Sequence, residues 1–372
     1  AKVEIRLFSF AHRRCAMEKF KFLSNNEFRK LVEGLTGSFT VYGTVRKDAH
    51  LSGANGVAGF PAYGRISCFE DLVLGLTPTH LSAKEFLFPQ RETLLKFDIE
   101  KMTHAAVVEA VDQVIIGLHP CDIHAVSLMD RVFAYGKPDV NYLARRTKTV
   151  IIGTDCMPDR FCFCKGVDTM NVDAGFDIFL HMVKNGFLVR TATDRGKTIL
   201  SKYAKVGKAS LKQLNEIIAF EKKREASFTA HIDAPAGQLP EIYSKSDESP
   251  VWERIGAICY GCGSCNNVCP TWYCFDVKDE MKSNLNEGER VRVWDGCTLE
   301  DFAKVTGGHN FRRTRADRLR HRFNRKFNYL AGRFGALFCV GCGRCSRTCL
   351  VQINISEVTN ELIREYNAKK RQ

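Results

Sequence analysis

Eight cysteines fall into two copies of one spacing, Cys259, Cys262, Cys265 and Cys269, then Cys339, Cys342, Cys345 and Cys349. In each copy three thiols are packed close together and the fourth is carried onward by the chain. Three close thiolates wrap one corner of an iron–sulfur cube, and where two cubes are held, the fourth cysteine of a run ligates the other one. The expected ligand sets are therefore crossed. One [4Fe–4S] cluster takes Cys259, Cys262, Cys265 and Cys349, and the other takes Cys339, Cys342, Cys345 and Cys269. Such a pair passes single electrons, and it ties distant segments together, so cluster assembly and folding are coupled. Zinc also accepts four thiolates, but its motifs use separated C-x2-C pairs. The 16 cysteines, half at ligand spacing in a chain of 372 residues, argue against a disulfide scaffold and for a reducing cytosol.

These residues need elements to hold them. Residues 17–230 read as a mixed α/β domain. Asn25–Leu35 is an amphipathic helix, and Phe39–Val45 and Arg65–Cys68 read as strands. A strand over Val111–Leu118, a helix over Asp122–Phe133 and a strand over Thr149–Gly153 form a parallel crossover unit. Asp177–Met182 and Gly186–Thr191 pair as a hairpin around Asn185-Gly186. Residues 208–226 form a helix, and 231–248 read as a linker rich in Pro, Gly, Ser and charge. From Ser249-Pro250, an N-cap followed by Pro at N1, a helix delivers Cys259. The segment between Cys269 and Cys339 is too long for a minimal bacterial ferredoxin, so residues 249–372 are expected to be a mainly helical dicluster ferredoxin domain. Ser356 caps its last helix. Residues 1–16 read as an extension unrelated to the rest of the chain, with Met17 as a second start. They contain no secretory signal core.

A third group of thiols comes from the α/β domain. Cys121 follows one predicted parallel strand and Cys156 the next, with Cys162 and Cys164 close behind. The carboxyl ends of parallel strands meet in a crevice that commonly binds ligands. These four cysteines are the candidate ligands of a third [4Fe–4S] cluster; the alternatives are a flavin crevice and plain buried cysteine, which packs as a small apolar residue. Cys274 and Cys297 are read as packing or outer-shell thiols, and Cys15 and Cys68 belong to no pattern. His119 and His124 flank Cys121 as outer-shell donors or satisfied loop residues, and His309 is a loop residue. No nucleophile–base set, GxGxxG, P-loop or HExxH motif is present. The chain is therefore expected to lack a substrate site, and catalysis falls to its redox partners.

The net charge of +13 raises nucleic acid as a partner. Much of the excess sits in Arg312, Arg313, Arg315, Arg318, Arg320, Arg322, Arg325 and Lys326, opposed nearby by Asp317. Ala316, Leu319, Phe323 and Phe327 recur there at helical spacing, and Thr314 with Asp317 forms a capping pair. The stretch predicts an amphipathic helix, apolar stripe inward and arginines outward, near anionic clusters whose potential they tune. No binding module accompanies it, so nucleic acid is not expected. No apolar run of about 18 residues indicates a membrane span.

Taken together, the segments resemble a known family. They are Phe88-Pro89-Gln90-Arg91-Glu92-Thr93-Leu94, Pro120-Cys121-Asp122-Ile123-His124-Ala125 running into Leu128-Met129-Asp130-Arg131-Val132-Phe133, Cys162-Phe163-Cys164, and the span from Cys259 to Cys349 with Trp294-Asp295-Gly296-Cys297 and Gly307-Gly308-His309-Asn310. The chain resembles beta subunits of cytoplasmic [NiFe] sulfhydrogenases and the related iron–sulfur subunits of anaerobic sulfite reductases. The resemblance implies a helical ferredoxin domain and an iron–sulfur electron-transfer role. It also implies a cytoplasmic, anaerobic hetero-oligomer with an NAD(P)H-linked flavoprotein and a catalytic subunit, either a [NiFe] hydrogenase pair or a sirohaem sulfite reductase. Leu350 departs from the pattern, standing where a proline usually follows the last cysteine, and Lys165–Thr169 lacks the expected Ser-Met-Gly. Two other readings stay open: a relay subunit of a heterodisulfide-reductase-like complex, and a zinc-stabilised scaffold that binds nucleic acid.

Overall fold

The computed structural model describes residues 19–47 and 60–371. The expected extension over 1–16, with Cys15, lies outside them. The strands are β1 (Lys21–Ser24), β2 (Thr40–Lys47), β3 (Phe60–Arg65), β4 (Arg91–Asp98), β5 (Thr103–Ala106), β6 (Gln113–Leu118), β7 (Thr149–Thr154), β8 (Ile178–Val183), β9 (Gly186–Thr191), β10 (Gly207–Lys208), β11 (Phe275–Met281) and β12 (Glu287–Trp294). The helices are α1 (Asn25–Thr36), α2 (Pro120–Ala134), α3 (Val140–Lys148), α4 (Asp194–Tyr203), α5 (Leu211–Ala226), α6 (Leu239–Ser244), α7 (Val251–Ile258), α8 (Ser264–Asn267), α9 (Arg315–Phe327), α10 (Ala331–Phe334), α11 (Arg344–Arg347) and α12 (Ile355–Arg371). The chain thus has a sheet-rich α/β region followed by the segment that carries the cysteine runs.

One sheet runs β10-β1-β9-β8-β7-β6-β2-β3. Its centre, β2, β6, β7 and β8, is parallel. Strands β6 and β7 are buried along their whole length, as expected of parallel strands covered on both faces. Val114, Ile116, Val150 and Ile152 face α1 and α4. Ile115, Ile151 and Phe179 face α2 and α3 with Ile123, Met129, Phe133 and Tyr142. The expected strand at Arg65–Cys68 is instead β3, which ends at Arg65. Among the described residues it pairs only with β2, at the sheet's edge, where Pro61 can be accommodated without breaking a ladder.

A second sheet runs β11-β12-β4-β5 and joins distant segments of sequence. Glu92 on β4 anchors it. Its carboxylate accepts from Arg145 of α3 at 2.5 Å and from Arg292 of β12 at 2.7 Å, and all three side chains are buried.

The stretch over 231–248 is packed. Leu239, Ile242 and Tyr243 of α6 are buried in one core with α7, α9 and α12. Its polar residues satisfy local turns while every third or fourth position is apolar, which composition alone hides. Gly256 is required where α7 crosses α9, because a Cβ there would stand 2.7 Å from the Ala316 nitrogen. Asn354 rather than Ser356 caps α12, its Oδ1 accepting from the Ser356 N–H at 3.2 Å.

Glu92→Ala leaves two buried guanidinium groups without their shared carboxylate. A loss of about 3 kcal/mol is expected, read from chemical denaturation of the full chain.

Candidate iron–sulfur centres

The two cysteine runs fold alike. In the first, Gly261 and Gly263 adopt positive φ (70° and 76°) before the single turn of α8. In the second, Gly341 and Gly343 do the same (62° and 69°) before α11. Only glycine enters this left-handed region freely, and here it bends the chain so that three thiols face inward. Gly341 also lies so close to Cys164 that a Cβ would sit 2.5 Å from its backbone.

Each run opens onto a cavity. The first is lined by Cys259, Cys262, Cys265 and Cys349, with Cys345 at its wall. The second is lined by Cys269, Cys339, Cys342 and Cys345. Each cavity thus receives the fourth cysteine of the other run. Among the described residues no three His, Cys, Asp or Glu side chains meet at a single-ion site. The thiols surround space, which suits a cube better than one zinc ion. Backbone N–H groups point at two of the sulfurs, Gly261 to Cys259 Sγ and Ile353 to Cys349 Sγ, both at 3.3 Å.

Buried cations surround these thiols. Helix α9 does not turn all its arginines outward. Arg318, Arg322 and Lys326, four residues apart, are buried beside the expected apolar stripe. Spacing alone could not reveal this, because their counter-charge lies on segments remote in sequence. Arg322 lines both cavities, is 2% exposed, and donates to the Cys265 carbonyl at 2.6 Å and to Asn266 Oδ1 at 2.8 Å. Lys326 lines the second cavity and donates to the carbonyl and hydroxyl of Thr271 at 3.1 and 2.8 Å. Lys84, buried, comes from the α/β region and donates to the Trp272 carbonyl at 3.1 Å. Burial lowers its ammonium to about 7, against the raising influence of Cys269.

Burial raises the thiols of Cys259, Cys265, Cys339 and Cys345, and takes Cys342 to about 11. Cys269 is the exception. Burial raises it too, but Lys326 and Arg322 outweigh that and bring it down to about 6. Thiolate ligands must lose their protons when metal binds, so cations at this point do for the ligand what water does at the surface.

The third group converges against the second cavity. Cys121 sits in the first turn of α2, immediately after β6, and Cys156 follows β7. Cys121 and Cys164 share one apolar cluster with Phe338, Val340 and Cys342. The loop carrying Cys162 and Cys164 is bonded to the second run, Phe163 N–H to Gly341 O at 2.8 Å and Cys162 Sγ to Cys342 O at 3.7 Å. Burial raises all four thiols. Cys156 senses Cys164 and Cys121 senses Cys156, while Arg224 pulls Cys156 and Cys164 down and Arg344 pulls Cys121 down. Arg344 also binds Asp122 bidentately at 2.6 and 2.8 Å, with both side chains fully buried. Sequence reasoning missed Lys84 and Arg344 as parts of the site; the only available signals were their places next to the Phe88 segment and to Cys345.

The remaining candidates fall outside the cavities. Cys297 is buried beside Cys269 and Trp272, with Cys274 packed against them. Cys68 is exposed. His119 is buried and lowered to about 4 by burial, and His124 Nε2 bonds the Asn171 carbonyl at 2.7 Å. His309 lies in an exposed loop.

Comparison with known proteins agrees with this geometry. Residues 258–353 match the family described as the 4Fe-4S dicluster domain. Sulfhydrogenase 2 subunit beta of Pyrococcus furiosus is 34% identical over 327 residues, which is 87% of this chain and 92% of the relative. The chain belongs to the sulfhydrogenase beta-subunit family. It is an iron–sulfur electron-transfer subunit, and its cofactors are of the [4Fe–4S] type. No solved structure matches it significantly. No helix among the described residues is long and apolar enough to cross a membrane.

Replacing Lys326 by Met should lower the reduction potential of the cluster that Cys269 serves. Reduction adds negative charge, and a buried cation favours the reduced state. A redox titration followed by EPR reads the shift.

Proposed function

We propose that this family member relays single electrons through two crossed [4Fe–4S] clusters and a third at the strand ends. Cys259, Cys262, Cys265 and Cys349 hold the first cluster, and Cys339, Cys342, Cys345 and Cys269 the second. Cys121, Cys156, Cys162 and Cys164 hold the third. The observation carrying this reading is the pair of cavities, each lined by three cysteines of one run and the last cysteine of the other.

A [4Fe–4S] cluster supplies reversible uptake of one electron. The protein's residues do the rest. Arg322 lies between the first two centres and offsets the charge of both. Lys84 and Lys326 serve the second, and Arg344 stands between the second and third. Apolar side chains such as Phe163, Phe338 and Ile355 keep water away from the sulfurs. The domain that carries the first two clusters is read as the helical ferredoxin type, since α7, α9 and α12 form its core.

The complex is proposed to be cytoplasmic, with electrons exchanged between an NAD(P)H-linked flavoprotein and a catalytic subunit. A [NiFe] hydrogenase or sulfur reductase is favoured for that catalytic role over a sulfite reductase, because the matching relative is named a sulfhydrogenase.

Anaerobically reconstituted protein should carry about twelve irons per chain with all three sites filled and about eight with two. Cys262→Ser and Cys349→Ser should each remove the same EPR signal, and Cys269→Ser the other, while Cys274→Ser keeps its iron. Loss of different signals in Cys262→Ser and Cys349→Ser would contradict the crossed sets, and an unchanged iron count in Cys121→Ser would remove the third.

A further inference from the structure

The first cavity differs from the second in reaching the surface. Cys262 is exposed, whereas Cys269 and Cys342 of the second cavity are buried. Two large side chains on the lining of the first cavity, Tyr260 and Leu350, are 68% and 78% exposed. Each is the chain neighbour of a cysteine, Cys259 and Cys349, and the two come from opposite ends of the cysteine-rich segment. Ile258, also exposed, precedes Cys259. A single exposed leucine needs no explanation, but apolar groups gathered at the mouth of one cavity mark a contact surface.

The rim is basic. Arg315 is exposed and reaches over the ligand segment, donating to the Cys259 carbonyl at 2.8 Å. Arg313 is exposed beside it and touches His309. Neither forms an ion pair with a carboxylate among the described residues. The nearby acids are engaged: Asp317 caps α9 and pairs with Arg320, Glu361 holds Arg254, and Asp301 pairs with Lys304. An apolar centre of aromatic and aliphatic groups ringed by such arginines is the composition of a protein-recognition patch. Its charge calls for a partner of opposite sign.

We propose that this mouth is the docking surface for a one-electron carrier protein whose cofactor lies beneath an acid-rimmed apolar face. The proposal rests on the relay reading and adds where electrons cross to another protein. One electron leaves the carrier's reduced cofactor and one enters the relay, with no atom or proton transferred. Tyr260 and Leu350 supply the dry contact over Cys259 and Cys349, and Arg313 and Arg315 steer the approach.

Stopped-flow reduction of the reconstituted full chain tests this, with reduced acidic [2Fe–2S] ferredoxin as the probe and dithionite as a reductant that needs no docking. The ferredoxin rate should fall with rising salt. It should drop about tenfold in Arg313→Glu and in Leu350→Glu, with iron content and dithionite reduction as in the wild type. Lys184→Glu, on the β8–β9 turn, should leave the rate near the wild-type value. Rates indifferent to salt and to both mouth substitutions, or an equal loss in Lys184→Glu, would overturn the docking surface. A wild-type chain that takes up no iron would overturn the relay reading beneath it instead.

Discussion

Buried negative charge is the constraint on which this structure depends. A cube with four thiolates is an anion inside a protein, and an uncompensated buried charge is costly. The chain answers with cations that are themselves buried. Arg322, Lys326, Lys84 and Arg344 each cost desolvation, and each recovers it through carbonyls, hydroxyls or carboxylates and through the thiols they face. None of them would be tolerable in an ordinary apolar core.

That constraint also explains how the halves of the molecule are joined. Lys84 reaches from the α/β region to the Trp272 carbonyl. Arg344 reaches the other way, from beside Cys345 to Asp122 and Thr79. Arg347 pairs with Asp159 at the loop that carries Cys162. The thiol groups thereby form a line. The strand-end cysteines abut the second cavity through Gly341 and Cys342, and the second abuts the first through Cys345 and Arg322. Short separations between centres are what an electron path requires, and backbone contact between the loops keeps them short.

Much of this was legible in the amino-acid sequence, and the reasons differ by element. The cysteine runs carry their own spacing, so the crossed sets could be written down before any geometry. The strands β6 and β7 with helix α2 were legible because a fully apolar run followed by a helical stripe has few other readings. The Asn185-Gly186 turn and the Thr314–Asp317 capping box are local chemistry and were found. Pairings between remote segments were not. Strand β4 meets β12 across a long stretch of sequence, and nothing local in Arg91–Asp98 announces that partner. The inward arginines of α9 were misread for a related reason. A basic residue is normally taken as solvated, and only the thiolates of other segments make Arg322 and Lys326 sensible inside. Lys84 carried no signal beyond its position just before an aromatic-rich turn.

The central claim is that two cubes are held by crossed cysteines on either side of Arg322. EPR of the fully reduced, anaerobically prepared chain tests it most directly. Two paramagnetic centres sharing a wall must feel each other's spin, so the account predicts a broadened, split spectrum that simplifies when either cube is removed. A spectrum that is the plain sum of two isolated signals, or one with no reducible centre, would contradict it.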